Sequence, residues 1–167
     1  SNHCGSCTQC IDACPTGALE HPYQLDARLC IAYLTIEHKS AIPEPLRPLI
    51  GNRIFGCDDC QLVCPHNREA PVGAMDFSDR HDLDASALLD LFQWSEIDFD
   101  HYTQGSPIRR LGYERWLRNL AVALGNAPAG RRTLEALQKR RIGASELVDE
   151  HIVWAIDQHE ARLNSQT

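Results

Sequence analysis

The sequence predicts a mostly helical α+β chain in two unequal parts: a cysteine-rich module over residues 1–68 and short helical repeats over 107–167, joined by an acidic connector over 69–106. All eight cysteines lie within the first 64 residues, clear helical periodicity begins only after Ser106, and the charge changes sign between the regions. With 43% apolar residues in 167, the chain can fill one ordinary core, or two small modules that share packing or metal. No apolar run approaches the roughly 18 residues of a membrane-spanning helix, so we expect no membrane partner. The chain opens Ser1-Asn2-His3-Cys4 and has its only methionine at Met75. We expect it to be a piece of a longer protein that begins close to a ligand cluster.

The first cysteine run reads Cys4-x2-Cys7-x2-Cys10-x3-Cys14-Pro15. This is the bacterial ferredoxin spacing, in which three close thiolates take corners of one 4Fe-4S cubane and the fourth reaches a second. An even cysteine count also admits a disulfide framework, and C-x2-C pairs admit zinc. Spacing argues against both, because thiolates at i, i+3 and i+6 crowd a tetrahedral ion and serve no disulfide. Pro15 has no N–H and a fixed φ, which starts the exit turn. The second run, Cys57-x2-Cys60-x3-Cys64-Pro65, is one cysteine short, and Cys30 is left over. If Cys30 replaces the missing member, one cluster rests on Cys4, Cys7, Cys10 and Cys64 and the other on Cys14, Cys30, Cys57 and Cys60. Two clusters with crossed ligands make a short electron relay in a ferredoxin-like module; the plainer reading is that they only hold the fold. His3, His21 and His66 lie near the runs, but cysteines already fill every ligand position.

Between the runs, residues 31–37 suit a short strand or a buried turn of helix, and Pro43, Pro45 and Pro48 punctuate a loop or helix start. The connector holds nine acidic side chains against one arginine and reads as a solvated face; within it, residues 84–92 offer an N-cap and an amphipathic turn or two. Ser106-Pro107 is a helix start and Gly125-Asn126 before Pro128 a stop, with Tyr113, Leu117, Leu120 and Leu124 at helical spacing between them. A further helix is expected over 131–141, ended by Gly143. The last is expected over about 145–163, with Val148, Ile152, Ala155, Ile156, His159 and Leu163 on one face. Residues 118–125 align with 150–157 at an offset of 32, which suggests two degenerate repeats of short HEAT type or a chance likeness of two amphipathic helices.

The formal charge of -7 argues against a globally basic nucleic-acid binder. Yet residues 107–141 carry nine Arg or Lys against Glu114 and Glu135, a net of +7. Such segregation suits a helical surface that tracks a phosphate backbone, unless the arginines pair with the acidic connector.

Taken together, the chain resembles the C-terminal half of epoxyqueuosine reductases over essentially its whole length. The resemblance is carried by His3-Cys4-Gly5-Ser6-Cys7 through Cys14-Pro15-Thr16, by Tyr33-Leu34-Thr35-Ile36-Glu37-His38-Lys39, by Gly56-Cys57-Asp58-Asp59-Cys60-Gln61 through Cys64-Pro65, and by Ser106-Pro107-Ile108-Arg109-Arg110 through Arg118-Asn119. It implies a cytoplasmic, monomeric oxidoreductase that converts epoxyqueuosine to queuosine at the wobble position of the tRNA anticodon. It also implies two 4Fe-4S clusters, an unidentified low-potential electron donor, and a cobalamin held mainly by an N-terminal domain that also supplies the proton-donating acid. No catalytic residue then falls in this sequence, and the piece alone is expected to be inactive. By resemblance, Ala32, Tyr33, Cys57 and Asp58 flank the corrin or the modified nucleotide, and Glu37, Lys39, Arg109, Arg110, Arg115 and Arg118 face the tRNA anticodon stem-loop. Tyr33 and Thr35 equally suit a core, whereas His38 and Lys39 are better placed for polar contacts. The alternatives are a cobalamin-dependent reductive dehalogenase, a plain two-cluster ferredoxin-type electron carrier, and a binding module whose clusters are structural. A basic helical tail has no purpose in the first two.

Overall fold

The computed structural model describes residues 3–68 and 87–165, so residues 69–86 of the acidic connector, and with them the expected N-cap at Asp84, lie outside the described residues. The first stretch contains α1 (Gln9–Asp12), a hairpin of β1 (Leu19–His21) and β2 (Gln24–Leu25), α2 (Ile31–Ile36), α3 (Arg47–Ile50) and α4 (Asp59–Leu62). The second contains α5 (Leu88–Gln93), α6 (Glu96–Tyr102), α7 (Tyr113–Asn126), α8 (Arg131–Arg140) and α9 (Glu146–Asn164). The hairpin is antiparallel, with Leu19 opposite Leu25 and His21 opposite Gln24, and turns through Tyr23 at φ 66°. None of the described helices is long and apolar enough to cross a membrane.

Residues 31–37 resolve to helix because Ile31, Leu34 and Thr35 are all buried, the i, i+3, i+4 pattern of one helical face. Ser106 does cap a helix, its hydroxyl accepting from the N–H of Ile108, but only the 3-10 turn Pro107–Leu111; Gly112 at φ 77° breaks the chain before α7 begins. Gly125 does not stop α7. It lies inside the helix where α9 comes closest, and a Cβ there would strike the Trp154 ring and meet the Ala155 Cα at 3.0 Å. Asn126, the last helical residue, instead donates through its amide to the carbonyls of Arg47 and Gly51. The last helix starts as expected, with the Ser145 hydroxyl accepting from Val148 N–H, and buries Val148, Ile152, Ala155, Ile156 and His159 on one face.

Helices α7 and α9, the two that align at an offset of 32, pack along one another and carry most of the core. The same continuous core takes in Ile31, Leu34, Ile42 and Ile50 from between the cysteine runs, so that segment packs with the helical part. Each such side chain contributes about 1.5–3 kcal/mol by leaving water.

Apart from Trp116 Nε1, which is buried without a partner, the buried polar side chains of this core are hydrogen-bonded among the described residues. Arg118 is fully buried, and its five N–H groups go to Asn119 Oδ1 (twice) and to the carbonyls of Leu34, His38 and Ser40 at 2.7–3.0 Å. Burial, and then the nearby charge of Arg115, lower its pKa to about 10, so it enters the core charged. His151 accepts from Ile42 N–H through Nε2 at 3.0 Å and donates from Nδ1 to the Leu147 carbonyl at 2.7 Å. His159 likewise donates to the Leu124 carbonyl and accepts from Gly130 N–H.

Two outcomes follow. Arg118→Lys keeps the charge but cannot reach four oxygens in a planar fork, so urea unfolding of the metal-loaded protein should show a loss of about 2–4 kcal/mol; a loss below about 0.5 kcal/mol would contradict this role. Burial, together with the repulsion of Arg47 and Arg118 and against the Leu147 hydrogen bond and Glu150, lowers the His151 pKa from 6.5 to about 4. The unfolded chain then takes up this proton before the folded one does. The stability from neutral His151 is full above pH 6.5 and is lost as pH falls toward 4, by up to about 3 kcal/mol. Denaturation midpoints against pH should be flatter by one proton in His151→Gln.

Candidate functional site: the cysteine runs and the basic face

The two runs share one backbone conformation, related by an offset of 50 residues. Thr8 (φ −121°, ψ 6°) matches Asp58 (−115°, 13°), and Ala13 (−83°, −12°) matches Val63 (−84°, −10°). Hydrogen bonds repeat with them: Cys14 N–H to the Ile11 carbonyl at 3.3 Å corresponds to Cys64 N–H to the Gln61 carbonyl at 3.2 Å. Each run is thus a short helical turn ending in Cys-Pro, and α1 packs on α4. The repeat fails at one place, where Ile54 stands fifty residues after Cys4.

All eight cysteines are free and half-buried. Cys4, Cys7, Cys10 and Cys64 line one small cavity together with Pro65 and His66. Cys60 has a raised pKa, from burial first and then from the neighbouring thiols Cys57, Cys30 and Cys10. Burial also raises Cys57, against the N–H of Asp59. At Cys14 burial acts the same way, but the Thr16 hydroxyl and the N–H groups of Thr16, Leu19 and Ala18 outweigh it and hold the thiol below its ordinary value. Convergent thiols with N–H donors aimed at sulfur suit an iron–sulfur cluster. Sequence reasoning missed Tyr23, whose hydroxyl accepts from the backbone N–H of His3 and Cys4 at 2.9 and 3.1 Å and so pins the start of the first run. A loop tyrosine carries no signal of this in the sequence. His3, His21 and His66 are exposed.

Helix α2, which carries Ala32 and Tyr33, is tied to the residue before Cys57 by the Thr35 hydroxyl, which accepts from Gly56 N–H at 2.9 Å. Tyr33 is 38% exposed and Asp58 is at the surface, accepting from the Gln61 amide, while Thr35 is buried. His38 is half-buried, with Nε2 3.0 Å from the Ala41 carbonyl.

The basic residues divide sharply. Arg118 cannot face nucleic acid, since it is fully buried and every donor is used within the chain. Arg115 is similarly committed, its guanidinium donating to the carbonyls of Leu111, Ile36 and Arg110 at 2.7–3.0 Å. Both hold backbone between Cys30 and Cys57. Arg109 and Arg110 are exposed, one paired with Asp100 and the other with Glu37 at 2.7 Å. Such surface pairs are worth about 0–1 kcal/mol and exchange readily for other anions. Lys39 is exposed on the wall of a groove floored by Leu111, Leu117 and Val148, and Arg132 and Lys139 line an adjoining groove that shares Arg140 and Ile142 with it. Neither Arg132 nor Lys139 was expected individually from sequence, where they counted only toward the net charge.

Residues 3–67 match the family described as a 4Fe-4S double cluster binding domain. The chain therefore carries a 4Fe-4S cluster-binding domain, which puts it in the class of iron–sulfur proteins. Over 95% of its length it is 63% identical to the epoxyqueuosine reductase of Pseudomonas aeruginosa, and over 97% it is 57% identical to that of Escherichia coli. A crystal structure of epoxyqueuosine reductase with an epoxyqueuosine-modified tRNA-Tyr stem loop superposes on 93% of the chain with a TM-score of 0.84 at 34% identity. By sequence and by fold the chain belongs with the epoxyqueuosine reductases, and it spans 43–44% of the length of these two curated relatives.

Cys30→Ser tests the ligand sets. Anaerobically reconstituted wild-type protein should bind about eight irons and eight acid-labile sulfides per chain, and the variant should lose the second cluster while the first persists. Full occupancy with unchanged spectra in the variant would falsify the assignment of Cys30.

Proposed function

We propose that the chain is the electron-relay and RNA-facing part of a reductase that converts epoxyqueuosine to queuosine in the tRNA anticodon. The observation that carries this reading is similarity to epoxyqueuosine reductases over 95% of this chain together with two cysteine turns of matching backbone. One cluster is held by Cys4, Cys7, Cys10 and Cys64, and its neighbour by Cys14, Cys30, Cys57 and Cys60. Residues 1–68, the connector 69–106 and the HEAT-like part 107–167 serve as relay, link and RNA-facing support.

Turning an epoxide into an alkene takes two electrons and two protons, more than any side chain supplies. A cobalamin would supply the low-potential cobalt chemistry for that step. This chain's residues bring electrons to such a centre and form part of its surround, a role for Ala32, the exposed ring of Tyr33 and the backbone at Cys57-Asp58; the Thr35–Gly56 hydrogen bond, which ties α2 to the start of the second cysteine run, supports this. A low-potential donor loads the clusters from outside. The chain acts in the cytoplasm, as part of a monomer, and does not turn over substrate alone.

RNA contact falls to the exposed cations. Lys39, Arg109 and Arg110, with Glu37 as the partner that Arg110 exchanges for phosphate, lie near the grooves that carry Arg132 and Lys139. A tRNA-bound relative supports this partner.

Changing Arg109 and Arg110 together to glutamine should weaken binding of the tRNA stem loop by the whole enzyme. The slope of log K against log salt should fall by about one per lost phosphate contact, with cluster content intact. Lys39→Gln with Lys139→Gln should act likewise. Unchanged affinity and slope in both double variants would remove RNA from this face.

A further inference from the structure

Of the second cluster's thiols, Cys30 and Cys57 come from places far apart in the chain. In the first run, Cys4 and Cys7 belong to one turn, closed by Cys7 N–H to the Cys4 carbonyl at 2.9 Å. No such turn joins Cys30 to Cys57, since 26 residues separate them. Something else must fix their spacing, and two buried side chains do so.

Cys30 is the N-cap of α2, so the position of that helix is the position of its thiol. Thr35, one turn further and fully buried, donates its hydroxyl proton to the Ile31 carbonyl at 2.7 Å and accepts from Gly56 N–H at 2.9 Å. Gly56 sits at φ 82°, immediately before Cys57. Asn119 on α7 closes the same gap from behind, its amide donating to the Thr35 carbonyl at 2.7 Å and to the Ile54 carbonyl at 2.9 Å. Ile54 is the residue at which the internal repeat of the runs would have placed a cysteine. Asn119 thus ties the vacated ligand position to the helix that carries the substitute.

We infer that Thr35 and Asn119 are positioning residues for the second 4Fe-4S cluster, setting the Cys30–Cys57 span that the remote ligand requires. Cluster potentials follow the placement of the thiolates and their hydrogen bonds, so the helical part of the chain sets the electronic properties of one cluster and not the other. The inference rests on the two-cluster reading.

The test is a redox titration followed by EPR on reconstituted protein, with the signature that disappears in Cys30→Ser taken as that of the second cluster. Thr35→Val keeps the shape but removes both hydroxyl bonds. It should shift the second cluster's midpoint and EPR signal, or lower iron from about eight to about four per chain, while the first cluster is unmoved. Thr35→Ser, which keeps the hydroxyl, should restore wild-type behaviour. Asn119→Asp keeps an acceptor for Arg118 but loses both donors, and should reproduce the selective effect in a folded protein. If Thr35→Val and Asn119→Asp leave both signatures unaltered, or diminish both clusters equally, the positioning role is refuted. Wild-type protein that binds fewer than two clusters would instead sink the parent reading.

Discussion

A charged guanidinium sits at the centre of this molecule without a carboxylate beside it. Arg118 gives all five of its donors to oxygens within the chain, three of them backbone carbonyls at Leu34, His38 and Ser40. Those carbonyls belong to the last turn of α2 and the residues just after it, where an ordinary helix end would meet water. Here the helix ends against α7, so the orphaned groups must be satisfied from inside. A lysine has three donors on a compact head and would leave some of them unmet; the planar fork does not. Arg115 and Asn119 extend the bracket on either side, to the carbonyls of Ile36, Thr35 and Ile54. The docking of the helical part against the cysteine-bearing part depends on this one polar seam set in an apolar core.

The seam also accounts for how a defective repeat remains workable. Two runs of nearly identical backbone place their thiols by local turns, which need no help from the rest of the fold. With Cys30 as the proposed fourth ligand of the second cluster, that locality is lost. The spacing then has to be held by tertiary contacts, and the residues that hold it lie on a helix beyond the connector. A module that would otherwise be self-contained is thereby made to share its core with the helices, as the burial of Ile31, Leu34, Ile42 and Ile50 among them records.

The same geometry changes the meaning of the charge pattern. A net of +7 over residues 107–141 suggests an open basic face. In the fold, Arg118 is internal, Arg115 braces backbone, and Arg140 donates to the Tyr113 hydroxyl and to the carbonyls of Phe92 and Trp94. What remains exposed of the nine basic residues is a smaller set, Arg109, Arg110, Arg131, Arg132, Lys139 and Arg141, three of them paired with carboxylates and spread over several elements rather than along one helix.

By itself the sequence determined what is local. The cysteine turns are legible because three thiols at fixed spacing followed by proline allow few conformations, and α8 and α9 are legible because their caps and periodic faces are contained within each helix. Where a choice depended on partners distant in the chain, the sequence was silent or misleading. Residues 31–37 are equally good strand or helix until α7 covers one face. Gly125 looks like a stop until Trp154 comes within reach of its missing side chain. An arginine reads as a surface charge unless the carbonyls that receive it, some eighty residues away, are known. Burial and hydrogen-bond satisfaction are properties of pairs brought together by folding, so only the tertiary structure could decide which basic residues hold the protein together and which are left to meet a partner.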